Sequence, residues 1–153
     1  MYRFPLDRLL QRYKQHQQLS AEPALEQAWR EALRRWPVPC GAQLVPMPQH
    51  WRRSVRRGFH PAARLAAWAA AEHDLPVCAA LLLRRPLAIQ HRLNRARRQQ
   101  NLAGALALRR SLSGPVILVD DVVTTGASAR AGAEVLRRGG ATSVTIWCLA
   151  RTL

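Results

Sequence analysis

The chain has 153 residues, 48% of them hydrophobic, and a formal net charge of +15. That length suits one domain with a single core, and that charge attracts polyanions at low salt whatever the protein's task. Lys14 is the only lysine; the other fixed cations are arginine. No run of about 18 apolar residues occurs, so no membrane span is expected. Met1-Tyr2-Arg3-Phe4-Pro5 lacks the apolar stretch of a signal peptide, so the expected location is cytoplasmic. Cys40, Cys78 and Cys148 are scattered and odd in number, which suggests neither a disulfide framework nor a zinc site.

In chain order, Arg3 to Gln18 has apolar residues at near-helical spacing, with Pro5 suited to a first turn. Pro23 to Trp36 is a clear amphipathic helix: Leu25, Ala28, Trp29, Ala32, Leu33 and Trp36 form one stripe. Ser20 is its candidate cap, and Pro37 and Pro39 stop it. Its tryptophans are expected in the core rather than on a binding platform. Gln43-Leu44-Val45 is a short strand, broken by Pro46-Met47-Pro48. Arg52, Arg53, Arg56 and Arg57 follow; such a run is either a solvated loop or, at a sheet end, a place to hold pyrophosphate.

Pro61 opens a helix through Glu72, ended by His73-Asp74 and Pro76. Val77 to Leu83, almost continuously apolar, is expected to be one internal strand. Arg84 to Asn101 is a long polar segment, which suits a lid or an exposed basic arm. Leu102 to Leu108 is a strand or return segment. Ala129 to Arg138 is a helix with cations in its last turn, closed by Gly139-Gly140. Ser143 to Leu149 is a last strand, with Cys148 expected in the core. Strands alternating with helices indicate an open α/β sheet.

The chain is organised around Val116-Ile117-Leu118-Val119-Asp120-Asp121-Val122-Val123-Thr124-Thr125-Gly126-Ala127-Ser128. Its apolar run has no polar alternation, as in a strand buried on both faces of a parallel sheet. Asp120 and Asp121 fall at the strand's carboxyl end, where parallel sheets place ligands. Thr124, Thr125, Gly126, Ala127 and Ser128 then open a helix whose first N–H groups suit an anion. Acids after a strand are often only a turn. Acids beside an anion loop fit a molecule with hydroxyls and a phosphate, such as a phosphorylated ribose.

This stretch resembles the phosphoribosyl pyrophosphate (PRPP) motif of the type I phosphoribosyltransferases. Val45-Pro46-Met47-Pro48 with Arg52-Arg53 and Arg56-Arg57-Gly58-Phe59 is similar to a segment of the ComF-like (competence protein F, GntX-type) members. So are Gln90-His91-Arg92-Leu93-Asn94-Arg95-Ala96 with Arg98, Asn101 and Gly104, the opening Phe4-Pro5-Leu6-Asp7-Arg8-Leu9, and Leu149-Ala150-Arg151-Thr152. His60-Pro61 departs from the Asn-Gln that relatives often carry. The amino-terminal four-cysteine zinc ribbon of many relatives is not in this sequence, so no zinc is expected.

The resemblance implies an open, mostly parallel sheet flanked by helices, Rossmann-like in architecture. Residues 1–42 are expected to form a helical, hood-like segment packed on a core of residues 43–153, in one compact domain. It implies that Asp120 and Asp121 hold the ribose hydroxyls, with Mg²⁺ bridging to pyrophosphate. It places the 5′-phosphate on Thr124, Thr125, Gly126, Ala127 and Ser128, and Arg56 and Arg57 near the leaving pyrophosphate. Gln90, His91, Arg92 and Arg98 would belong to a flexible loop closing over the site. The implied reaction, within nucleotide metabolism, moves ribose 5-phosphate from PRPP to an unidentified nitrogen acceptor. No general base is identifiable; His91 lies in the right region, but loop histidines are usually just solvated.

Three readings stay open: an active phosphoribosyltransferase, a non-catalytic PRPP-binding or regulatory module, and an accessory protein of DNA uptake. The last would engage single-stranded DNA or competence-machinery proteins. Trp51 and Phe59 flank the first arginine run, but the second, from Arg92 to Arg98, has no stacking aromatic. A homodimer is a further expectation.

Overall fold

The computed structural model of the protein describes residues 22–49, 59–83 and 105–151. In chain order these form α1 (Glu22–Leu33), β1 (Gln43–Pro46), α2 (Pro61–His73), β2 (Leu81–Leu83), β3 (Leu106–Leu108), β4 (Pro115–Val123), α3 (Ala127–Arg138) and β5 (Ser143–Arg151). The segment Arg3 to Gln18, Ser20, Trp51 and both arginine-rich runs lie outside the described residues.

The unbroken apolar run makes β4 the central strand. Val116, Ile117, Leu118 and Val119 are all fully buried. β1 and β5 flank it, both parallel, in the order β1-β4-β5. Strand alternation divides the core into two layers. Val116 and Leu118 meet Val45, Met47, Leu81, Leu106 and Leu136, from α3 and the antiparallel β2–β3 pair as well as β1. Ile117 and Val119 meet Trp29, Leu33, Leu65 and Trp68 of α1 and α2, with Trp147. The result is the expected mostly parallel α/β sheet with helices on both faces.

Of the tryptophans in the α1 stripe, Trp29 is a core residue, as its helical spacing indicated, and Trp36, beyond the helix end, is half-buried against the core. Trp29, Trp68 and Trp147 are buried, and the Trp29 indole donates to the Leu65 carbonyl at 3.1 Å, joining α1 to α2 without an unpaired N–H. Arg30 and Arg34 pair with Glu72 across the same two helices. α1 stops at Leu33, short of the expected Trp36, and Trp36 N–H closes a turn on Leu33. Pro37 accounts for this, because it disfavours helical backbone in the residue before it.

The run from Val77 to Leu83 is not one internal strand. Val77 makes a single parallel bridge to Leu44 and is 48% exposed, at the sheet's margin. Ala80 N–H then bonds the Cys78 carbonyl at 2.9 Å, a three-residue turn. Beyond it Leu81–Leu83 pair with Leu106–Leu108 in the other sheet. The apolar residues are divided between two sheets, which an unbroken apolar pattern cannot reveal.

Gly140 closes the turn after α3. Its φ is 106°, and a Cβ there would lie 2.3 Å from the Leu112 carbonyl oxygen. Neither the backbone angle nor the neighbouring main chain leaves room for a side chain. Gly140→Ala is therefore expected to destabilise the protein by about 2 kcal/mol or more in urea denaturation. A change below about 0.5 kcal/mol, the usual size for neutral surface positions, would contradict this packing.

Candidate functional site

Pro46 and Pro48 have no N–H to give a ladder, so β1 leaves the sheet early. Its last rung is Pro46 against Val119, followed by a bond from Met47 N–H to the Val119 carbonyl at 2.8 Å. β4 and β5 stay paired to Val123 and Arg151. β4 thus runs past the acids, rather than ending at them, because β5 continues to support it. Among the described residues no strand follows β1 along the edge of Asp120 and Asp121. There the acids serve the backbone themselves. Asp121 N–H donates to Asp120 Oδ1 at 2.9 Å, and Val122 N–H to Asp121 Oδ1 at 2.8 Å.

Alternation sends the two carboxylates to opposite faces. Asp120 follows Leu118 toward α3. It lines an open cleft of about 220 Å³ together with the Val122–Ala129 turn, so the structure brings Asp120 to Thr124, Thr125, Gly126, Ala127 and Ser128. Asp121 follows Val119 toward α2 and does not line this cleft.

The cleft ends on the amino terminus of α3. Gly126, at φ 72° and ψ 4°, is the cap and makes no side-chain capping bond. The Ala127 N–H has only a long 3.4 Å contact with Thr125 Oγ1. No acidic residue occupies the first turn, so its donors and the positive end of the helix dipole are available to an anion. Arg130, one turn in, folds back over the loop. Its Nη2 donates to the Thr125 carbonyl at 2.9 Å, and its Nη1 lies 2.9 Å from where a Gly126 Cβ would stand. The sequence reading missed Arg130; its only sequence signal is its four-residue spacing from Gly126.

On the Asp121 side stands His60, also not selected from sequence as a site residue. Its Nε2 lies 2.9 Å from the Met47 carbonyl, and a carbonyl only accepts, so that nitrogen carries the proton. Burial pushes the pKa of His60 below its ordinary value, against the opposing effects of the Met47 bond and the Asp121 charge. At neutral pH the ring is uncharged.

Cys148 is half-buried beside the site, not in the core as expected. It is the cross-strand partner of Asp120, and partners on adjacent strands point to the same face. Burial, and next the charge of Asp120, push its thiol pKa up. Arg56, Arg57, Gln90, His91, Arg92 and Arg98 lie outside the described residues.

No protein-family model matches the chain. Among curated proteins, the DNA utilization protein YhgH of Salmonella typhi is 36% identical over 121 residues, covering 76% of this chain and 52% of that protein. Its counterpart from Escherichia coli strain K12 is 37% identical over 116 residues, covering 72% and 50%. Competence protein F of Haemophilus influenzae is 31% identical over 156 residues, covering 96% of this chain and 68% of that protein. The chain belongs to the competence protein F family. It spans about half the length of the YhgH proteins it matches.

Two solved structures share the fold of this family member at low sequence identity. The glutamine PRPP amidotransferase from B. subtilis, complexed with ADP and GMP, superposes with a TM-score of 0.57 at 20% identity, over 84% of this chain and 26% of that one. A structure of the allosteric regulatory enzyme of purine biosynthesis gives 0.55 at 18% identity, over 84% and 26%. No helix among the described residues is long and apolar enough to cross a membrane.

The pairing of Cys148 with Asp120 has a consequence for this family member that needs no ligand. Alkylation at pH 8 should modify exposed Cys40 before Cys148. Asp120→Asn removes one of the charges holding the Cys148 thiol protonated. It should lower that pKa and speed labelling of Cys148, followed by mass spectrometry of the Cys148 peptide against pH. An unchanged or slower rate would contradict the side-by-side placement.

Proposed function

We propose that this protein binds PRPP and transfers its ribose 5-phosphate to a nitrogen acceptor, releasing pyrophosphate. The observation that carries the reading is the cleft in which Asp120 and the uncapped start of α3 stand together. A carboxylate accepts from hydroxyls and a helix amino terminus receives a phosphate, and a sugar phosphate offers both. The fold's likeness to a PRPP amidotransferase supports the same ligand.

In this reading the 5′-phosphate sits on Thr124, Thr125, Gly126, Ala127 and Ser128, with Asp120 and Asp121 directed to the ribose and pyrophosphate side. The bond from ribose C1 to pyrophosphate breaks, its electron pair leaving on the pyrophosphate. A nitrogen lone pair forms the new bond to C1, and the nitrogen's proton passes to solvent. Arg56 and Arg57 would offset charge on the departing group. Gln90, His91, Arg92 and Arg98 would belong to a loop that excludes water.

Among the described residues no group of three or more His, Cys, Asp and Glu side chains could hold a metal ion unaided. Mg²⁺ takes one or two protein carboxylates and fills its shell from phosphates and water, so a carboxylate such as Asp120 in the cleft suits it. When bound, Mg²⁺ would neutralise charge on the pyrophosphate. Asp120 and Asp121 are the residues that would hold it, partly through PRPP.

A second reading is an accessory protein of DNA uptake that binds PRPP or single-stranded DNA without transfer chemistry. The names of the relatives and the net charge of +15 favour it. Calorimetry with Mg²⁺-PRPP separates the two. The transferase reading requires saturable binding by the wild type, a loss of at least tenfold in affinity for Asp120→Asn/Asp121→Asn, and pyrophosphate release with some nucleobase or amine. Binding without release from any acceptor would favour the accessory reading. A folded wild type that does not bind PRPP would refute the PRPP site.

A further inference from the structure

β5 is a nine-residue strand, Ser143–Arg151, paired with β4 from one end to the other. It is also the last strand in the order β1-β4-β5, and among the described residues nothing bonds to its outer edge. A free edge of this length carries a row of backbone N–H and C=O groups ready to pair with another strand. Chains that keep such an edge single blunt it with a lysine, a proline, a bulge or an inward-pointing charge. Val144-Thr145-Ile146-Trp147-Cys148-Leu149-Ala150 holds no proline and no charge. The register with β4 keeps one offset from Pro115 against Ser143 to Val123 against Arg151, so the strand has no bulge.

The side chains point the same way. Among the described residues the exposed large hydrophobics are Val77 and Ile146. Val77 stands at the margin of the sheet beyond β1. Ile146, 40% exposed, stands on β5 itself, opposite Leu118 and on the α3 face with Val144, Cys148 and Ala150.

Charge selects the occupant. An uncharged strip offers a polyanion or an acidic peptide nothing that the arginine-rich surface of a +15 chain does not offer better. It does offer another copy of itself the one approach on which arginines do not meet. The single charge of β5, Arg151, lies at its end. If the strand pairs antiparallel with its copy about a two-fold axis through Trp147, Arg151 stands opposite Ser143, Leu149 opposite Thr145, and Cys148 opposite Ile146. The two Ile146 side chains then become diagonal neighbours on one face.

We propose that β5 is the interface of a two-fold homodimer, in which the β5 edges of two copies pair antiparallel about Trp147 and cover Ile146, continuing the sheet in the order β1-β4-β5-β5-β4-β1. The proposal does not depend on the PRPP reading. Antiparallel pairing sends the carboxyl ends of the two β4 strands, and with them the two clefts, to opposite ends of the joined sheet.

The test is the mass in solution by sedimentation equilibrium. The wild type should be dimeric at about 100 µM. Raising NaCl from about 0.15 M to about 0.5 M should tighten the dimer about twofold or more, because salt screens the repulsion between two basic chains. Ile146→Lys, at an exposed position, should keep the wild-type melting curve of the monomer and weaken the dimer at least about tenfold. A second readout does not depend on that variant. In a Cys40→Ser background, Ile146→Cys should give a disulfide-linked dimer through Cys148 of the second copy on mild oxidation with diamide, and Val77→Cys should not. A monomer at every salt concentration would overturn the proposal. So would a dimer that Ile146→Lys leaves intact, one that salt dissolves as it would a nucleic-acid bridge, or cross-linking from position 77 in place of 146.

Discussion

Pro46 and Pro48 cannot donate to a sheet ladder, and the geometry of the site follows from where that ends β1. β4 outruns β1 but remains braced by β5. Its last residues therefore have one supported edge and one edge left to the acids. Asp120 and Asp121 sit at this point, each accepting the N–H of the residue that follows it. With β1 continued, a backbone carbonyl would take the place of Asp120 at the Asp121 N–H. With β5 shorter, the acids would belong to an unsupported loop.

Charge is distributed with equal structural effect. In the α1–α2 layer, Glu22, Glu26, Glu31, Glu72 and Asp74 stand among Arg30, Arg34, Arg35 and Arg64, so that face is close to neutral. Several of these are paired, as in Arg64 with Glu22 and Arg30 with Glu26. Hence the excess of +15 lies elsewhere in the chain. At the cradle, the same economy of acids leaves the first turn of α3 without a carboxylate, and Arg130 folds over the loop instead. A cation at a helix amino terminus opposes the helix dipole. Its placement there is consistent with a site that receives an anion.

Much of this was legible from periodicity. The unbroken apolar run of Val116 to Val119 gave the central strand, and the spacing of Leu25, Trp29 and Leu33 gave the buried face of α1. The acids beside a Thr-Gly-Ser loop gave the cleft around Asp120. Opposite projection of Asp120 and Asp121 was available from strand alternation, but the acids were read as the strand's end and not its continuation. The division of Val77 to Leu83 between two sheets was not legible, because both destinations are apolar. Nor were His60, Cys148 and Arg130. Each matters through a partner distant in sequence or through a turn that only the folded chain defines, such as Met47 for His60 and Asp120 for Cys148.

The central claim is that the start of α3, beside Asp120, receives a sugar phosphate. The most direct measurement is a ¹H–¹⁵N NMR titration of the labelled protein with ribose 5-phosphate, with inorganic sulfate at matched ionic strength as the control. The account predicts saturable shifts concentrated on the backbone amides of Asp120 and Thr124 to Ala129, stronger with the sugar phosphate than with sulfate. Shifts spread over exposed arginines such as Arg109, Arg110, Arg137 and Arg138, equal for the two anions and absent from the α3 turn, would contradict it.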